Sequence, residues 1–118
     1  MKITQIEPRL VKWPQSGLFA TSSFVHVHTD DGFTGLGEIS PMQGGRVHLD
    51  FIARHVTPMI AGCDPFDRAV IYERCLHKFM KLGPQGMVTS ALAGIDIALW
   101  DICGKATGQP VAALQIGR

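Results

Sequence analysis

GMVTSALAGIDIALWDICGK, residues 86–105, is the stretch whose reading decides the fold. Met87, Ala91, Ile95, Ala98, Leu99 and Ile102 recur at helical spacing, which predicts one long helix. Ala91, Gly94 and Ala98 are small, so another backbone can approach that side closely. A glycine inside a helix costs about 1 kcal/mol relative to alanine, which makes Gly94 a marker of such a contact. Trp100 adds a large apolar body on another side. A helix apolar over so much of its girth must be surrounded, and the rest of the chain has to surround it.

The chain allows one domain and one modest core, since 118 residues leave no room for two. An apolar fraction of 46% and a charged fraction of 18% are those of an ordinary globular protein. The net charge is +1 with no basic cluster, which gives no support for nucleic acid or an anionic membrane surface as partner. No basic leader with an apolar run opens the sequence, and no apolar segment is expected to reach bilayer length. Cys63, Cys75 and Cys103 are odd in number and form no CxxC pair. They read as reduced thiols of a cytoplasmic protein.

Working back to the start, Ile3 to Lys12 is rich in strand formers, with Pro8 placing it at a sheet edge or a bulge. Residues 13–22, WPQSGLFATS, have no period and read as a loop that carries Trp13, Leu18 and Phe19. Ser23 to Thr29 alternates Val25 and Val27 on one face with Phe24, His26 and His28 on the other. Asp30-Asp31-Gly32 is a hairpin turn, and Phe33 to Ile39 is the returning strand. Residues 40–45, SPMQGG, form a second loop.

The period then changes to 3.6. Val47, Phe51, Ile52, Val56, Met59 and Ile60 mark a first helix, bent or ended near Thr57 because Pro58 follows. Asp64 as N-cap and Pro65 open a second, with the stripe Phe66, Ala69, Val70, Tyr72, Leu76, Phe79 and Met80, closed by Gly83-Pro84. After the long helix, Val111 to Ile116 reads as a short turn. Strands followed by helices give an α+β fold: a three-stranded antiparallel meander and a bundle of about three helices.

Self-sufficient chemistry is hard to find. His26 and His28 share a strand face, with Glu38 as the one conceivable third metal ligand; a polar sheet face is the plainer reading. Asp96 and Asp101 are separated by about 140° around a helix, so they serve separate neighbours instead of forming a catalytic pair. GLGEIS, residues 35–40, lacks the third glycine of a nucleotide loop and precedes no helix; Gly35 and Gly37 read as sites of close helix approach. Cys75 and His77, two apart on a helix, do not face each other. The loops at residues 13–22 and 41–46 flank the sheet and mix apolar, glycine and polar residues, as substrate lids do, and Arg46 has the fork that matches a carboxylate; on composition alone, ordinary surface loops with a solvated arginine are the plainer reading.

Four fragments in order carry a resemblance to a known family: MKITQIEPRLVKWP, SFVHVHTDDGFTGLGE, TPMIAGCDPFD and AGIDIALWDICGKATGQPV. Together they resemble the N-terminal capping domain of the mandelate racemase and muconate lactonizing branch of the enolase superfamily. Members commonly read LLGG where this chain has Leu114-Gln115-Ile116-Gly117. The resemblance implies that residues 1–118 are a single cap, with the (β/α) barrel that bears Mg²⁺ and the acid/base residues absent from this chain. It implies proton abstraction α to a carboxylate, leading to racemisation or epimerisation, acid-sugar dehydration, or cycloisomerisation, as in an isomerase or lyase. It also implies that the two loops enclose a small carboxylate substrate through Trp13, Ser16, Leu18, Phe19, Gln43 and Arg46. No catalytic or metal residue is expected in this chain, which alone should be inactive. The chain's own C-terminal barrel and a homo-oligomeric parent complete the expected partners. The competing reading is a stand-alone protein-interaction module.

Overall fold

The computed structural model describes residues 1–15, 18–40, 46–83 and 85–116, with positions 15 and 18–20 as backbone alone. Three strands, β1 (Ile3–Gln15), β2 (Leu18–Thr29) and β3 (Thr34–Ile39), form one antiparallel sheet in the order β1-β2-β3. The helices follow: α1 (Arg46–Phe51), α2 (Thr57–Ile60), α3 (Arg68–Lys78), α4 (Met87–Thr107) and α5 (Val111–Ile116). The α+β meander and its helices are as the sequence predicts, with α5 as a short additional helix.

The core lies between the inner sheet face and α4. Alternation sends Ile6, Val25, Val27 and Ile39 inward, where Ala91, Ile95, Ala98, Leu99 and Ile102 of α4 meet them. β3 brings no side chain at Gly35 or Gly37. A Cβ at Gly35 would overlap the Ala98 carbonyl oxygen, and one at Gly37 would overlap that of Gly94. From the helix side, a Cβ at Gly94 would come within 2.6 Å of Ile39 Cγ1. Two strand residues advance about 6.7 Å and four helical residues about 6 Å, so each inward glycine of β3 meets a successive turn of α4. The close approach read from Gly35, Gly37 and Gly94 is therefore present, backbone against backbone.

Asp101 extends this contact to the strand's edge. Its Oδ2 accepts the Leu36 amide at 3.0 Å and Lys105 Nζ at 2.8 Å, while Nζ also donates to the Thr34 carbonyl at 2.7 Å. Asp96, on another side of α4, lies by Arg68 and Trp100. The two aspartates serve separate neighbours, as their spacing requires. At the end of α4, Gly108 adopts φ +67°, and the amides of Gly108 and Gln109 return to the carbonyls of Lys105 and Gly104.

Four expectations need correction. Residues 13–15 and 18–22 are paired strand, not loop: Trp13 lies opposite Ala20, Pro14 opposite Phe19 and Gln15 opposite Leu18. Cross-strand pairing supplied order where no hydrophobic alternation was visible. The first helix does not end at Thr57. It widens into a π turn over Ile52–Val56 and continues to Ile60, with both the Thr57 amide and Oγ1 donating to the Ile52 carbonyl. Pro58 has no N–H to continue the ordinary ladder, and the wider turn accommodates it. In α3 the buried positions are Ile71 and Cys75, continued by Phe79, whereas Phe66, Val70 and Met80 are exposed. Finally, α4 does have the length and apolar composition of a membrane-crossing helix, contrary to the sequence expectation. More than half of that window is buried inside the fold, with Ala91, Gly94 and Ala98 against β3.

Gly37→Ala tests the central contact. It should lower the unfolding free energy by about 3 kcal/mol through forced separation of α4 and β3, read as a lower urea midpoint with an unaltered slope. An unchanged midpoint would remove the steric argument.

Candidate functional site

Of the sequence-derived candidates, Trp13, Leu18 and Phe19 lie at one end of the β1–β2 hairpin and Arg46 at the start of α1. β3 pairs with β2 only from Ser23 to His28, so beyond Leu10 and Ser23 the hairpin continues as a two-stranded arm. Val11, Lys12, Trp13 and Pro14 along it are exposed, with Trp13 at 40%. A two-stranded ribbon alone is marginally stable in water, so this arm draws its order from the three-stranded sheet behind it. Leu18 and Phe19 occupy β2 positions opposite Gln15 and Pro14. Arg46 opens α1 and is exposed. Ser16 and Gln43 lie outside the described residues.

The outer sheet face holds the best-defined polar cluster. His28 Nε2 lies 2.7 Å from Glu7 Oε1, and its Nδ1 lies 3.0 Å from Thr34 Oγ1. Glu7 Oε2 accepts Arg9 Nε at 3.1 Å, and His26 stacks on His28 at 6.2 Å between ring centroids. The acid near the histidines is thus Glu7; Glu38 instead accepts Ser22 Oγ at 3.3 Å. Sequence reasoning missed Glu7 because it did not fix the hairpin register. Closing the hairpin on the turn-prone Ser16-Gly17 pair would have placed Glu7 opposite His26. Among the described residues, no group of three or more His, Cys, Asp or Glu side chains is arranged to hold a metal ion.

Electrostatics elsewhere points to structure. Arg68 stacks its guanidinium 3.4 Å above the Trp100 ring centroid. Burial raises the Asp96 carboxyl, with Arg68 and a Trp100 hydrogen bond pulling the other way. Burial pushes the Cys75 thiol up to about 11 and raises Cys103 as well. All three cysteines are free, and Cys63 alone is not fully buried.

The fold as a whole is shared with known proteins. Residues 15–117 match the family described as mandelate racemase / muconate lactonizing enzyme, N-terminal domain. The chain belongs to this family. L-talarate/galactarate dehydratase of Salmonella typhimurium is 34% identical over 88 residues, covering 75% of this chain and 22% of that protein. D-galactarolactone cycloisomerase of Agrobacterium fabrum is 30% identical, covering 100% of this chain and 33% of that protein. The structure of a mandelate racemase/muconate lactonizing protein from Paracoccus denitrificans, complexed with magnesium, superposes with a TM-score of 0.87 at 43% identity. That match covers 97% of this chain and 30% of the other. This N-terminal domain thus spans at most about a third of the length of these relatives.

Two predictions follow from the side-chain environments. Hydrogen bonds from Arg9 and then His28 hold the Glu7 carboxyl below its ordinary value of 4.5. A depressed carboxyl stabilises the fold above its unfolded-state value, and that contribution disappears as pH falls through the folded value. Glu7→Gln should therefore flatten the loss of stability below pH 4.5, measured as urea midpoints at successive pH values; parallel profiles would dismiss the pairing. In the native domain at pH near 8, a thiol reagent followed by mass spectrometry should modify Cys63 well before Cys75, because the protonated, buried thiol is the weaker nucleophile. Earlier labelling of Cys75 would contradict its burial.

Proposed function

We propose that this domain is the substrate-enclosing, specificity-setting part of a longer Mg²⁺-dependent enzyme that abstracts a proton α to a carboxylate. The family match over residues 15–117 carries this reading. The dehydratase and cycloisomerase relatives point to an acid sugar and to dehydration or cycloisomerisation, with racemisation or epimerisation as the family's other outcome. The magnesium complex of the Paracoccus protein supports the metal. In the parent, the metal ligands and the acid/base groups would belong to a barrel outside this chain, and no step through the ion is assigned to residues here.

What this domain would supply is enclosure. The hairpin arm carries Trp13, Leu18 and Phe19 past the end of the sheet, where they would form an apolar wall that keeps water from the substrate. Arg46 would meet the substrate carboxylate with two parallel donors, which lysine could not reproduce. Ser16 and Gln43 would add polar contacts. The rigid sheet and α4 would hold the base of the arm in place against the substrate. The compartment proposed for such an enzyme, with three reduced thiols, is the cytoplasm.

In the full-length enzyme, Phe19→Ala should change the ratio of kcat/KM between two acid sugars by about tenfold, the scale of one apolar contact, with Mg²⁺ affinity unchanged. Equal ratios across an acid-sugar panel would remove Phe19 from the wall. Turnover by the 118-residue chain alone would overturn the assignment of catalysis to a barrel.

A further inference from the structure

Among the described residues β3 is an edge strand, with β2 on one side and no strand on the other. The groups a neighbouring strand would use on that side include the Leu36 amide and the Thr34 carbonyl. Both are already engaged by side chains of α4: the amide donates to Asp101 Oδ2 at 3.0 Å, and the carbonyl accepts from Lys105 Nζ at 2.7 Å. The two side chains are themselves joined at 2.8 Å. Residues four apart on a helix are about 6 Å apart along its axis, and alternate strand residues about 6.7 Å. From successive turns of α4, Asp101 and Lys105 thus present an acceptor to the Leu36 amide and a donor to the Thr34 carbonyl.

We propose that Asp101 and Lys105 act as a surrogate strand that denies the β3 edge to a second copy of this chain. The occupant excluded is a second copy because the exposed pattern is self-complementary. In an antiparallel pairing centred on Gly35, the Leu36 amide of each copy would meet the Thr34 carbonyl of the other. Apolar surface would add to the attraction, since Leu36 and Ile97 beside the pair are 45% and 50% exposed. The opposite edge of the sheet is managed differently. The Ile3 amide donates to the Cys63 carbonyl and the Gly62 amide to the Ile3 carbonyl, both at 2.8 Å, while Pro8 and Pro14 have no N–H to offer. The β3 edge is the one whose protection rests on two side chains.

The test compares the 118-residue chain with D101A, D101N and the D101A/K105A double variant, by amide hydrogen exchange and sedimentation velocity. In dilute solution D101A should speed exchange at Leu36 by about tenfold while β2 amides keep their protection, and D101N, which retains an oxygen acceptor, should stay within about threefold of wild type. The double variant should self-associate at least about tenfold more tightly than wild type, with Leu36 protection returning as association proceeds. Unchanged Leu36 exchange in D101A, or equal association of the double variant and wild type, would overturn the proposal. Should the double variant lose protection throughout β2, K105M decides instead. It keeps the Leu36 acceptor and frees only the Thr34 carbonyl, so association tighter than wild type supports the guard and equality overturns it.

Discussion

The closest constraint in this molecule is the approach of α4 to β3 with no side-chain layer between them. Helix and sheet elsewhere are separated by interdigitating side chains; here the carbonyls of Gly94 and Ala98 occupy the space that β-carbons of Gly37 and Gly35 would need. Dispersion falls steeply with separation, so a seam at this distance is strong when formed and intolerant of any added atom. It also fixes α4 in translation and rotation, because strand and helix repeats nearly coincide. Once that is set, the flanks of α4 have only one place to go. Ile95, Leu99 and Ile102 fill the core, Asp101 and Lys105 come to the strand edge, and Trp100 receives Arg68 from α3.

That rigid half contrasts with the hairpin arm, whose backbone continues the ladder but whose Val11, Lys12, Trp13 and Pro14 are exposed. The domain thus pairs a fixed body with a segment that holds little core of its own. Local stability is expected to fall along the arm away from β3. The proposed enclosing role uses that gradient. Behind the arm, the Arg9–Glu7–His28–Thr34 cluster ties β1, β2 and β3 along the outer face toward the sheet's far end, which is why polar residues there are structural.

Much of this was legible in the residues. Gly35, Gly37 and Gly94 announced a close approach because each is expensive where it stands, and Val25 and Val27 announced the inner face by alternation. The ends of elements were less legible. Trp13 to Ser22 lack alternation, so the strand pairing of 13–15 with 18–20 left no hydrophobic signature in the sequence. The α3 stripe was read too broadly, through Val70 and Met80, since three-state apolarity does not separate a core face at Ile71 and Cys75 from apolar residues beside it. At Pro58 the rule that a helix stops was correct about the lost donor and wrong about the remedy, which a wider turn provided. Of the candidate site, the sequence supplied positions on the arm and on α1, while the polar cluster depended on register.

The seam has a consequence for the order in which the domain can be made. β3 is complete by residue 39, yet two of its inward positions, Gly35 and Gly37, carry no side chain and have nothing of their own to bury. The surface they are shaped for, residues 94–98, is synthesised more than fifty residues later. A nascent chain therefore carries a meander whose third strand gains its main contact only after α4 has emerged, and closing so long a loop precedes the reward. Commitment to the native fold comes late, at the last long helix: β1 can meet α1 and α2 earlier, but β3 waits for α4.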